Sequence, residues 1–176
     1  MKKVFTILLL AATLSGAAQK GKTFPDTQGA TLDDKDKSIP FKNGKYSIMA
    51  VAFHRGAEDE LKKWLNPLYN TFMTKVKKDP KTIDISTSYD VNFVFVPMIA
   101  GIKMISEEFK STTDKAYWPY VLDTKKSDMK AAATTLGVTD RKIPYVFVLD
   151  KNGIVVDVQS GEFSEAKIDA LEEAIE

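Results

Sequence analysis

Cysteine is absent from all 176 residues of the chain. That excludes disulfides, a thiolate nucleophile, cysteine-held metals and a lipid-bearing N-terminal cysteine. Histidine is almost as scarce, with His54 the only one. A lone imidazole without His-rich or Cys-rich spacing does not make a metal centre, and no G-x-S-x-G elbow accompanies it to suggest a hydrolytic triad. Dinucleotide, Walker and EF-hand patterns are missing too, so no cofactor and no metal are expected. An excess of either charge is lacking: 25 Lys and Arg face 24 Asp and Glu, for a formal net charge of +1. That balance carries no footprint for nucleic acid. The short basic run Lys75-Val76-Lys77-Lys78 reads as the solvated face of a helix.

What is present begins with residues 1–18, MKKVFTILLLAATLSGAA. Lys2 and Lys3 form a basic start, Val4 to Leu14 an apolar stretch, and Ser15-Gly16-Ala17-Ala18 a small-residue exit, the layout of a secretory signal peptide. The apolar part is shorter than the roughly 20 residues that span a bilayer, and no comparable run follows. Cleavage after Ala18 is expected to leave residues 19–176 as one domain, soluble, periplasmic or secreted.

Residues 19–44 are polar and turn-rich, with short edge strands or loops near Thr23-Phe24 and Ala30-Leu32. Tyr46 to Phe53 (YSIMAVAF) is apolar nearly throughout, as a central strand covered on both faces should be. Leu61, Trp64, Leu65, Leu68, Phe72 and Val76 follow at helical spacing, and Pro67 should kink that helix without ending it. Asp90 to Pro97 reads as a strand whose Phe93 and Phe95 share one packing face. Ile102, Ile105 and Phe109 mark a second helix. YWPYVL (Tyr117 to Leu122) reads as a short strand, its aromatics packing in the core or, where exposed, forming a small recognition surface. Ser127 caps a third helix carrying Met129, Ala133 and Leu136, and Gly137 ends it. Tyr145 to Leu149 and Ile154 to Val158 flank Asp150-Lys151-Asn152-Gly153, a β-hairpin with an Asn-Gly turn. Ile168, Leu171 and Ile175 give a last helix one apolar face. The order implies a single α/β domain with a mixed sheet and helices on both faces.

That order, with Ile143-Pro144 directly before the hairpin, resembles the thioredoxin-like fold, a three-layer sandwich. The resemblance implies a cis Ile143-Pro144 bond packed beside the first long helix. It also places the family's Cys-x-x-Cys after YSIMAVAF, at Glu58 to Leu61 or Asp59 to Lys62, where this chain has no thiol. Within the superfamily the chain is similar to the mitochondrial ATP-synthase assembly-factor family, itself without redox chemistry. Phe24-Pro25 with Gly29, a strand ending in Phe53, Trp64 with Pro67-Leu68, and IPYVFVLDKNG carry that likeness over about residues 22–175. It implies a redox-inactive domain that binds a protein or peptide, as an assembly factor or chaperone.

The functional residues are expected where the first central strand meets the first long helix. Glu58, Asp59 and Glu60 occupy the helix's first turn and complement its dipole, each by about 0.3–1 kcal/mol. His54, Arg55, Ile143 and Pro144 are the candidate partner-binding residues, because loops on a rigid sheet carry recognition. The alternative is a non-thiol enzyme or metal-binding protein that uses His54 with Glu58 or Asp59.

Overall fold

A computed structural model describes residues 18–74, 77–78, 86–87, 89–99 and 102–176. The signal-peptide expectation thus lies, apart from Ala18, outside the described residues, as does Val76.

Two sheets meet along one seam. The larger takes the order β6-β3-β8-β9, built from β6 (Val91–Val96), β3 (Tyr46–Val51), β8 (Tyr145–Leu149) and β9 (Val155–Ser160). β3 runs parallel to β6 and antiparallel to β8, so the sheet is mixed. The smaller has the order β2-β1-β7, with β1 (Thr27–Thr31), β2 (Asp36–Ile39) and β7 (Leu122–Thr124). A parallel bridge from Phe95 to Val121 sets it beside β6. The short pair β4 (Lys77–Lys78) and β5 (Ser86–Thr87) forms an antiparallel ladder, so Lys77 and Lys78 lie in a strand and not on a helix face.

β3 and β8 are central because nothing in them needs water. Ser47 through Val51 and Tyr145 through Leu149 are all buried. Ser47, the one polar member, receives an N–H from Asn92 at 3.2 Å. Phe93 and Phe95 are both buried in β6. Helices cover the sheet: α1 (Glu58–Tyr69), α2 (Lys103–Thr112), α3 (Lys126–Leu136) and α4 (Glu165–Glu173). Leu61, Trp64, Leu65 and Leu68 form the buried stripe of α1. Pro67 does not end that helix. The chain passes through it and rewinds as a π turn over Asn70–Thr74, where Phe72 is buried. A proline without an N–H relaxes the i to i−4 ladder at this place.

α3 stops as its sequence demands. Gly137 has φ +73°, and Val138 N–H donates to the Ala133 carbonyl at 2.8 Å, the longer bond of a Schellman ending. Its start differs from expectation: the N-cap is Lys125, without a side-chain cap, and Ser127 lies inside the first turn. The 145–160 hairpin forms as expected in the main sheet. Its turn places Gly153 at φ +81° and closes with Gly153 N–H on the Asp150 carbonyl at 3.0 Å, a type I turn followed by a left-handed residue.

Two readings are overturned. Tyr117 to Tyr120 belong to a 3-10 turn over Lys115–Tyr120, and strand β7 starts only at Leu122. Asp114 caps the turn by accepting from Ala116 N–H at 2.9 Å, Trp118 Nε1 donates to the Thr113 carbonyl at 3.1 Å, and Pro119 suits a helical φ. Its aromatics are half-buried, Tyr117 and Tyr120 standing edge-on to Tyr69 at 4.8 and 5.6 Å. The second correction concerns proline. The cis bond among the described residues is Ile39-Pro40, and Ile143-Pro144 is trans. Trans is the ordinary preference by about 0.5–1 kcal/mol, and in that form the Pro144 carbonyl accepts from Gly161 N–H at 2.9 Å while Tyr145 enters β8.

Candidate functional site

The C-terminal ends of β3 and β6 and the start of β8 share one edge of the sheet. Val51 sits between Val96 and Tyr145 in register, so residues 52–57, 97–102 and 142–144 all leave the sheet at the same end. After buried Phe53 the chain turns sharply. His54 is extended, at φ −155°, and caps a 3-10 turn over Arg55–Ala57 that feeds α1. Its Nδ1 accepts the Gly56 N–H at 2.9 Å, and its carbonyl accepts from Ala57 N–H at 2.9 Å. A neutral imidazole accepting at Nδ1 holds its proton on Nε2, so the ring has no lone pair left for general-base work while the turn stands. His54 shapes the loop. A Cβ built on Gly56 would lie 3.9 Å from Lys142 Cγ, which brings this loop against the turn before Ile143-Pro144, as expected.

The candidate residues differ in accessibility. His54 and Arg55 are exposed and Ile143 is half-buried, but Pro144 is buried. Pro144 therefore supports Ile143 from below and does not itself present a surface.

The three acids of the first α1 turn diverge, as neighbours on a helix must. Glu60 pairs with Lys63 at 2.7 Å and Asp59 faces solvent. Glu58 Oε1 is buried without a hydrogen-bond partner. Burial pushes the Glu58 carboxyl above its ordinary range, with Arg55 and Lys62 pulling the other way and Asp59 and Glu108 adding to the rise. Among the described residues, no group of three or more His, Asp or Glu side chains is placed to hold a metal ion.

The helix that follows β6 supplies what the sequence reading missed. Ile102, assigned there to a buried stripe, is the N-cap of α2 and 47% exposed, and Met104 is 77% exposed. Phe109 is buried beneath them, with Lys62 Nζ 5.2 Å from its ring. The sign of this was Met104 itself, an apolar residue out of phase with Ile105 and Phe109. The largest described cavity, about 800 Å³, lies elsewhere, on β1, β2 and β7 beside Gln28, Ser38 and Asp128.

The layers, strand order and loop positions define the class: this is a thioredoxin-like fold without thiols. Solved structures agree. The thioredoxin domain of a thiol-disulfide oxidoreductase from Bacteroides vulgatus aligns with TM-score 0.61 at 17% identity, covering 89% of this chain and 98% of that one. Yeast Sco1 aligns with TM-score 0.53 at 17% identity over 88% and 94%. BsSco, a member of the Sco family of cytochrome c oxidase assembly proteins, gives TM-score 0.57 at 9% identity over 88% and 92%. No protein-family model matches the chain, and no curated protein matches its sequence. With no cysteine anywhere, the thiol chemistry of such oxidoreductases is closed to it.

Proposed function

We propose that this protein is an exported, redox-inactive thioredoxin-like domain that binds a protein or peptide partner and serves as an assembly factor or chaperone. The observation that carries the reading is the exposed apolar pair Ile102 and Met104, at the sheet end that also holds His54, Arg55 and Ile143. Large apolar side chains left in water beside polar loops favour a protein partner over a small molecule. The expected pairing of a peptide with a cis-proline loop loses its support, since the bond is trans and the Pro144 carbonyl is taken by Gly161. Side chains, not backbone, carry recognition in this reading.

Two further points support it. The Sco family neighbour is itself an assembly protein by its printed description, which keeps the likeness to the ATP-synthase assembly-factor family within the same class of work, at the level of fold analogy. Another neighbour is an exposed pneumococcal lipoprotein thioredoxin, in keeping with export by the leader over residues 1–18. The enzyme alternative draws on the desolvated Glu58, but His54 is committed to Gly56 and lends it no base.

Photo-crosslinking in intact cells tests the proposal. A crosslinker at position 104 should capture a discrete partner, whereas one at Gln28, on the far sheet, should not. Met104→Asp and the His54→Ala, Arg55→Ala double variant should each fold normally, as surface changes usually stay within about 0.5 kcal/mol, yet weaken the capture. Equal capture from positions 28 and 104 overturns the site.

A further inference from the structure

Folded structure starts abruptly at Gln19. Ala18 is exposed and Gln19 is 2% exposed. From there each residue is tied to the domain. Lys20 Nζ pairs with the buried Asp157 at 2.6 Å. Gly21 N–H donates to the Val155 carbonyl and Val155 N–H to the Lys22 carbonyl, both at 2.8 Å. Lys22 Nζ donates to the Leu136 carbonyl at 2.9 Å. Gln19 Nε2 reaches the Gly137 carbonyl at 3.4 Å, while Gln19 Oε1 is buried with no hydrogen-bond partner.

Signal-peptide cleavage after Ala18 would place an α-ammonium on this residue. The position is unfavourable for one. Lys20 and Lys22 already bring two cations to it, and the nearby helix-end carbonyls of Leu136 and Gly137 are engaged by Lys22 and by the Gln19 amide. A buried charge without its own partner is costly. A glutamine at a chain terminus has a route to remove it.

We infer that Gln19 is a modification site: the exported chain begins with pyroglutamate. This rests on the processing reading above. The α-amine nitrogen attacks Cδ of its own side chain, the N–Cδ bond forms, the Cδ–Nε2 bond breaks, and Nε2 leaves with its hydrogens and the amine proton as ammonia. No oxidant or co-reactant is required. Ring closure precedes docking of residues 19–23, while the side chain is still free, and the docked state then holds a neutral lactam in place of a cation. Lys20 and Lys22 keep their partners.

Intact mass of the protein recovered from the exported fraction, with fragmentation of its N-terminal peptide, decides the matter. The expected product starts at residue 19, is lighter than the linear chain by one ammonia, and resists N-terminal sequencing. A linear Gln19 terminus overturns cyclisation while leaving the cleavage site intact. A terminus at any other residue overturns both. Loss of ammonia that appears only as a linear sample ages also overturns it, since the mature form was then uncyclised. Gln19→Asn, cleaved at the same bond, should give a free amine and serves as the linear comparator; a higher melting temperature for that comparator than for the cyclised protein would count against the charge argument.

Discussion

Glu58 is where one side chain departs most from its surroundings. Its carboxylate stands in the slot that the resemblance assigns to a thiol, at a helix N-terminus suited to negative charge, yet burial raises its pKa. A raised carboxyl pKa means the folded state holds the proton more tightly than the unfolded one, so this group's contribution is best below the unfolded pKa and is lost as pH rises through the folded one. Glu58→Gln should therefore gain melting temperature relative to the parent as pH moves from acid to neutral. Thermal scans across that range check it; a constant difference would mean the buried oxygen is solvated. Asp150 shows the opposite sign. Burial opposes its ionisation, but N–H donors from Ile154 and Asn152, at 2.9 and 2.8 Å, outweigh this and lower its pKa. Its stabilisation is present above the unfolded pKa and lost as pH falls through the folded one. Asp150→Ala should cost about 1–2 kcal/mol at neutral pH and progressively less in acid, measured by denaturant titration.

Elements were legible in the sequence wherever period and punctuation agreed. YSIMAVAF, the 61–72 stripe, Gly137 and DKNG each name one structure, because burial, spacing and turn chemistry point the same way there. YWPY was not legible, since its aromatic residues favour strand while Asp114, Pro119 and the Trp118 indole settle a 3-10 turn by local hydrogen bonds. β2 was hidden by its polarity: DKSI is an edge strand with one buried side chain, Ile39. At the candidate site, the loop positions followed from the fold, while the exposure of Ile102 and Met104 depends on how α2 starts, which no periodicity reveals. Trp64 shows how an element is locked to the sheet. It is fully buried, its Nε1 donates to the Gly161 carbonyl at 3.0 Å, and Phe163 meets it edge-on at 5.6 Å. Trp64→Phe removes both the donor and ring volume and should cost about 2–4 kcal/mol, seen as a lower denaturation midpoint.

Across the whole molecule, the two ends of the sheet do different work. One end gathers the 52–57, 97–102 and 142–144 loops into the candidate surface. Away from it, residues 19–23 fasten β9 to the end of α3, since Lys22 bonds both the Leu136 carbonyl and Val155 while Lys20 neutralises Asp157. Asp157 is only 7% exposed, so losing Lys20 leaves a carboxylate largely out of water, and a buried charge without its partner is destabilising. The boundary of the stable domain thus falls between Ala18 and Gln19. A chain beginning at Gln19 should unfold at the same denaturant concentration as the longest form that can be purified. A chain beginning at Phe24 loses two strand bonds, a helix-end bond and the Asp157 ion pair, and should be about 3 kcal/mol less stable. Capture through position 104 should survive in that shorter chain at temperatures where it remains folded, because the fastening lies apart from the candidate surface; loss of capture without unfolding would show that the two are coupled.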